Sequence, residues 1–174
     1  MTGTGKKVLV FGYGNPGRLD DGLGPKFVEE FEKLHLEGVT ADSNYQLSVE
    51  DAATIAEHDY VVFVDADVSC PEPFRFQRVV PRAHTSFSSH AISAEALMAM
   101  AEELMSSRAE GFILGIRGYE FNEFGERISP EALKNLGNAL VFMQRAVEDG
   151  DLARYAELFT AEKMNENVPF GSAY

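Results

Sequence analysis

The stretch YVVFVDADV, residues 60–68, decides the fold. Its first five positions are apolar at odd and even places alike, so both faces of the segment must be covered. That is the pattern of a central strand in a parallel sheet, not of a half-solvated antiparallel one. It ends on Asp65, a carboxylate that is poorly solvated at such a place unless something pairs with it. Upstream, KKVLVFGYG (from Lys6) is a second short apolar run, closed by glycine. Leu23, Phe27, Phe31 and Leu34 follow at helical spacing and predict a helix over about residues 22–35. GVTADSNYQ (from Gly38) reads as another strand. Ser48 with Asp51 three residues on forms a capping-box pattern for a second helix.

Downstream, FRFQRVV (from Phe74) alternates and reads as an edge strand. Leu97, Met100, Ala101, Leu104 and Met105 mark a helix face, and GFILGIRG (from Gly111) a further strand. Ser129 as cap and Pro130 at the first helical position open a last long helix. Its expected stripe is Leu133, Leu136, Leu140, Met143 and Val147. The order β-α-β-α-β-(β)-α-β-α predicts an α/β fold: a three-layer α/β/α sandwich around a mostly parallel twisted sheet. We read residues 1–150 as a single domain and residues 151–174 as a C-terminal extension, one or two helical turns and then a tail.

Bulk properties narrow the function. With 174 residues the chain is long enough for one sizeable core. A formal net charge of −13 disfavours a nucleic-acid partner. No apolar stretch reaches membrane-span length, and the N-terminus carries no signal-peptide pattern. Cys70 is the sole cysteine, which excludes an internal disulfide and a thiolate zinc cage. A cytoplasmic setting fits these features.

Ligands of such sheets bind beyond the carboxyl ends of the strands, which selects three loops. The first, FGYGNPGRLDDGLGP (residues 11–25), places Gly12, Gly14 and Gly17 as in a dinucleotide fingerprint. Asp20 and Asp21 then stand where a pyrophosphate needs positive potential, so a nucleotide-binding module is a minor alternative. Either aspartate could instead simply complement a helix dipole. The second loop carries Asp65 and Asp67, which alternation directs to one side. The third carries His84 and His90, which composition does not rank; His35 and His58 lie near helix ends and are weaker candidates. Carboxylates and an imidazole from these loops would suit a borderline divalent cation such as nickel, zinc, manganese or cobalt. Neither H-E-x-x-H nor G-x-S-x-G occurs.

The blocks VFGYGNPGRLDDGLGP, VVFVDADVS and SSHAISAEAL, in that order, resemble the signature blocks of the hydrogenase maturation endopeptidases. The similarity runs from about Lys7 to Val147. It implies a three-layer α/β sandwich. It also implies removal of a C-terminal extension from the large-subunit precursor of a nickel–iron hydrogenase once nickel is in place. Carried over by position, Asp21, Asp65 and His90 become the metal-recognising and catalytic residues, which selects Asp21 over Asp20 and His90 over His84. The resemblance implies nickel supplied by the substrate, with cadmium or zinc as substitutes in vitro, and that precursor as partner. It leaves open whether the ion activates water or only positions the substrate while Asp21 or Asp65 serves as base. A metal-recognising assembly factor without peptidase activity is the main alternative. On this reading the loop glycines let the backbone approach a bulky protein substrate.

Overall fold

A computed structural model describes residues 5–83 and 92–164 of the chain. Five strands form one sheet in the order β2-β1-β3-β5-β4. Strand β1 (Val8–Tyr13) lies between β2 (Val39–Asn44) and β3 (Tyr60–Asp67), parallel to both. Strand β5 (Glu110–Arg117) extends the parallel array from β3, and β4 (Phe74–Val79) closes that edge antiparallel. The expected edge strand is therefore an edge strand, and the strand that opens with the doubly apolar run 60–64 sits at the centre.

The alternation along each strand builds two cores. Val8, Val10, Val62, Val64, Phe76, Phe112 and Leu114 face one side. There they meet α1 (Leu23–Glu32), α4 (Pro130–Asp149) and α5 (Leu152–Met164). Leu9, Phe11, Val61 and Phe63 face the other side, against α2 (Asp51–Ala56) and α3 (Ala94–Met105). The result is the three-layer α/β/α sandwich expected from the sequence.

Local chemistry fixes the helix starts. The hydroxyl oxygen of Ser93 accepts from the Ala96 N–H at 3.1 Å, and that of Ser129 from the Ala132 N–H at 3.4 Å, with Pro130 in the first turn. Asp51 reaches back to the Ser48 N–H at 2.8 Å, the reciprocal half of a capping box, although α2 itself starts only at Asp51. The helix expected over about residues 22–35 is α1, which ends three residues early and is preceded by a 3-10 turn, Leu19–Gly22.

Three apolar stripes differ from expectation. In α3 the buried face is Ala94, Leu97, Met98 and Ala101, while Leu104 is 71% exposed. In α4 the buried face is Ala132, Leu136, Ala139, Phe142, Met143 and Ala146, and Leu133 is exposed. Helix α5 runs 13 residues, longer than the turn or two expected. It places Leu152, Tyr155, Ala156 and Phe159 in the same core as α4. Phe142 is the hub there, with ring centroids 5.0 Å from Phe74, 5.2 Å from Phe76, 5.6 Å from Tyr155 and 6.0 Å from Phe159.

Candidate active site

The chain leaves β1 to build β2 on one side and later returns past β1 to build β3 on the other. This reversal opens a crevice between the carboxyl ends of β1 and β3, the usual ligand position in open α/β sheets. Asp65 ends the buried part of β3 at that rim, and the β1–α1 connection brings Asp21 to the same place.

The glycines of that connection work inside the fold. A Cβ on Gly12 would stand 2.3 Å from the Gly24 carbonyl oxygen, and one on Gly24 would stand 2.4 Å from that of Tyr13 and 2.6 Å from that of Val64. Strand and helix backbones therefore touch directly at the crevice floor. Gly14 has φ +141°, and a Cβ there would meet the Asp21 carbonyl oxygen at 2.1 Å. The expectation that these glycines face a substrate is thus corrected: they seat α1 against β1 and β3. Two of the three fingerprint glycines, Gly12 and Gly14, are thus accounted for by close backbone approach inside the fold.

The adjacent aspartates have separate tasks. Asp20 is fully buried. Its carboxylate accepts from the N–H groups of Tyr119 (2.8 Å), Glu120 (3.0 Å) and Ser129 (2.7 Å), and from the Ser129 hydroxyl (2.7 Å). Burial alone would raise its pKa, but these donors outweigh burial and hold it below the usual range. Asp20 is therefore an anchor between the β1–α1 connection and the segment after β5. Asp21 points the other way, with Oδ2 accepting from the Asn15 N–H at 2.9 Å. Neither side chain caps a helix by hydrogen bond.

Asp65 is the most perturbed carboxyl at the rim. Burial pushes it up to about 7, the charges of Asp21 and Asp67 push the same way, and the Ala66 N–H and Arg75 oppose the rise. Asp21 therefore lies near enough to this rim for its charge to act on Asp65. Tyr13 stands beside Asp65; its hydroxyl is raised by burial first, then by Asp65 and by Glu95 of α3. Asp67 behaves differently. Its Oδ1 accepts from the N–H groups of Ser69 and Cys70, both at 2.9 Å, and Oδ2 from Arg75 Nε. Burial would raise it, yet these donors together keep it low. Asp67 thus organises the next turn, while Asp65 is left with the Ala66 N–H at 2.8 Å.

Of the residues singled out from sequence, the structure brings Asp21 and Asp65 together. His84 and His90 lie outside the described residues. His58 stands just before β3 and His35 just after α1, at the opposite end of the sheet. Among the described residues no group of three or more His, Cys, Asp or Glu side chains is placed to hold a metal ion. The donor set of Asp21 and Asp65, two repelling carboxylates, fits a cation that arrives with ligands of its own. Sequence reasoning missed Tyr13, Arg75 and Glu95 as rim residues. For Tyr13 the signal was present, two positions beyond Phe11 on the same face; for Arg75 it required the register of β4.

No protein-family model matches the sequence, and no curated protein matches it. Solved structures do match. The chain is similar to the NiFe hydrogenase maturation protease HycI from Thermococcus kodakarensis at a TM-score of 0.66 and 20% identity, covering 83% of this chain and 95% of that one. It is similar to the hydrogenase maturating endopeptidase HybD from E. coli (TM-score 0.60, 18% identity, 83% and 94% covered). The hydrogenase 2 maturation peptidase from a Thaumarchaeota archaeon gives a TM-score of 0.60 at 20% identity, with 82% and 98% covered. The fold is that of the hydrogenase maturation proteases. Among the described residues no helix is long and apolar enough to cross a membrane.

Proposed function

We propose that this chain is a cytoplasmic endopeptidase that removes the C-terminal extension of a nickel–iron hydrogenase large-subunit precursor after nickel insertion. What supports this reading is a fold shared with proteases of that kind, with Asp21 and Asp65 carried on segments that end at the same rim of the sheet. Two like charges held together by separate chain segments favour a cation between them, and the precursor's nickel is that cation. Asp21, Asp65 and His90 are the residues assigned to it. The ion would serve as recognition element, and would either polarise the neighbouring carbonyl or only position the substrate while Asp21 or Asp65 acts as base.

The chain's own residues supply the rest. The Asp20 anchor and the Gly12–Gly24 contact fix Asp21 and the end of β3 before substrate arrives, so little ordering is left for the binding step. Before the cation arrives, burial pushes Asp65 up to about 7, so binding of the cation would release the proton that a neutral Asp65 holds. Cleavage conditional on the metal makes the protein a checkpoint on nickel insertion.

The test is processing of purified precursor. Nickel-loaded precursor is expected to shorten and metal-free precursor to stay intact. Asp65→Asn and His90→Ala are expected to abolish shortening, and His84→Ala to leave it in place. Intact nickel-loaded precursor from every cognate hydrogenase would overturn the proposal. Binding without cleavage, weakened by His90→Ala, would instead mark an assembly factor.

A further inference from the structure

Four strands contribute one position each to a row at the carboxyl rim. Asp65 pairs with Gly115 of β5, and Gly115 pairs with Arg75 of β4. Across β1, Gly12 pairs with Val64, so Tyr13 continues the row. Alternation puts Tyr13, Asp65, Gly115 and Arg75 on the face that carries Phe11 and Phe63. The central position of this row lacks a side chain, and Arg75 occupies the space. A Cβ on Gly115 would stand 2.9 Å from Arg75 Nε, 3.0 Å from its Cγ and 2.9 Å from Asp67 Oδ2. The arginine therefore lies flat over β5 and reaches toward β3, where Nε donates to Asp67. Asp67 is itself held by Ser69 and Cys70. Among the described residues only Nε of this guanidinium is engaged, and its side chain is 30% exposed.

The surroundings are acidic: Asp21, Asp65, Asp67 and Glu95 all bear on this rim, and Arg75 is the cation that opposes them. An ionised carboxylate accepts hydrogen bonds and donates none. Peptide hydrolysis adds water across a C–N bond: oxygen joins the carbonyl carbon, the carbonyl oxygen takes negative charge, and the amine leaves carrying a proton. The developing oxyanion requires a donor fixed in advance. We propose that Arg75 is the substrate-binding residue that donates through its terminal nitrogens to the carbonyl oxygen of the polypeptide at Asp65. The assignment rests on the protease reading above. Asp67 and Gly115 act on it as positioning residues, one by clamping Nε and the other by leaving room.

The test uses the full chain and nickel-loaded precursor. Arg75→Ala is expected to lower kcat about 100-fold while KM stays within about threefold. Asp67 keeps its two backbone donors, so the melting temperature should hold within a few degrees. Millimolar guanidinium is expected to restore at least about tenfold of the loss in Arg75→Ala and to do nothing for the wild type. Arg75→Lys, which keeps the charge without the planar fork, should remain impaired. Gly115→Ala, which displaces the guanidinium without removing it, should lower kcat in the same direction. A wild type that cuts while Arg75→Ala cuts equally well overturns this inference alone. So does a folded Arg75→Ala whose loss guanidinium fails to repair. A wild type that leaves the loaded precursor intact overturns the protease reading, and this inference with it.

Discussion

Replacing Asp65 by asparagine should make the protein more stable and inactive at once. The side chain titrates near 7 in the folded state and at 3.8 as an ordinary aspartate. Its folded pKa is raised, so the folded state binds the proton more tightly than the unfolded chain. The stabilisation from that proton is complete below about pH 4 and drains away as pH rises to about 7, at about 1.4 kcal/mol per pH unit. At pH 8 the ionised carboxylate therefore costs about 4 kcal/mol relative to its neutral form. Asparagine has the shape of the neutral acid, and its amide oxygen can accept the Ala66 N–H in the same way. It also removes the repulsion with Asp21 and Asp67. We expect Asp65→Asn to gain about 2–4 kcal/mol over wild type at pH 8 and the gain to shrink toward zero near pH 4. Urea unfolding of both proteins across that range measures the difference directly, and titrations shared by the two cancel. A variant equal to wild type at pH 8, or a gain independent of pH, would refute the claim that burial and like charge load this carboxyl. In the same samples, nickel or cadmium is expected to raise the melting temperature of wild type and not of the variant.

Asp20→Ala should have the opposite sign: it orphans four donors, two of them buried and two part-buried, and is expected to cost about 3–5 kcal/mol by urea unfolding. Because the Asp20 pKa is lowered, its contribution is present above the ordinary carboxylate range and is lost as pH falls through the depressed folded value, so acid unfolding should begin at higher pH in that variant. Gly24→Ala drives a Cβ into two carbonyl oxygens and should cost about 3 kcal/mol or more, seen as a lowered melting temperature; an unchanged value would remove the Gly12–Gly24 contact from the account. Phe142→Ala empties the centre of a five-ring cluster formed with Phe74, Phe76, Tyr155 and Phe159 and should cost about 3–5 kcal/mol. A loss under about 1 kcal/mol in denaturant unfolding would show that this cluster does not carry the core.

The layer order was legible because strand burial is written in each strand's own residues: 60–64 is apolar throughout, 74–79 alternates, and both patterns survive packing. The helix stripes were legible only in their middle turns. Leu104, Met105 and Leu133 follow the period of their helices, but they sit in terminal turns and are exposed, and period alone says nothing about which turns are covered. Helix α5 was under-read because its cover is β4, an edge strand of distant sequence. At the rim, Asp65 announced itself as a charge ending an apolar run. The division of labour between Asp20 and Asp21 did not, since it depends on donors about a hundred residues away. Arg75 became a rim residue through the antiparallel register of β4 on β5, which is a tertiary fact.

The Asp20 anchor has a consequence for the order of events in the cell. Its partners are Tyr119, Glu120 and Ser129, so a chain still being synthesised holds the acidic lip unsecured until residue 129 has left the ribosome. Whatever strands form first, the β1–α1 connection is pinned last, by residues that the chain supplies about a hundred positions after it.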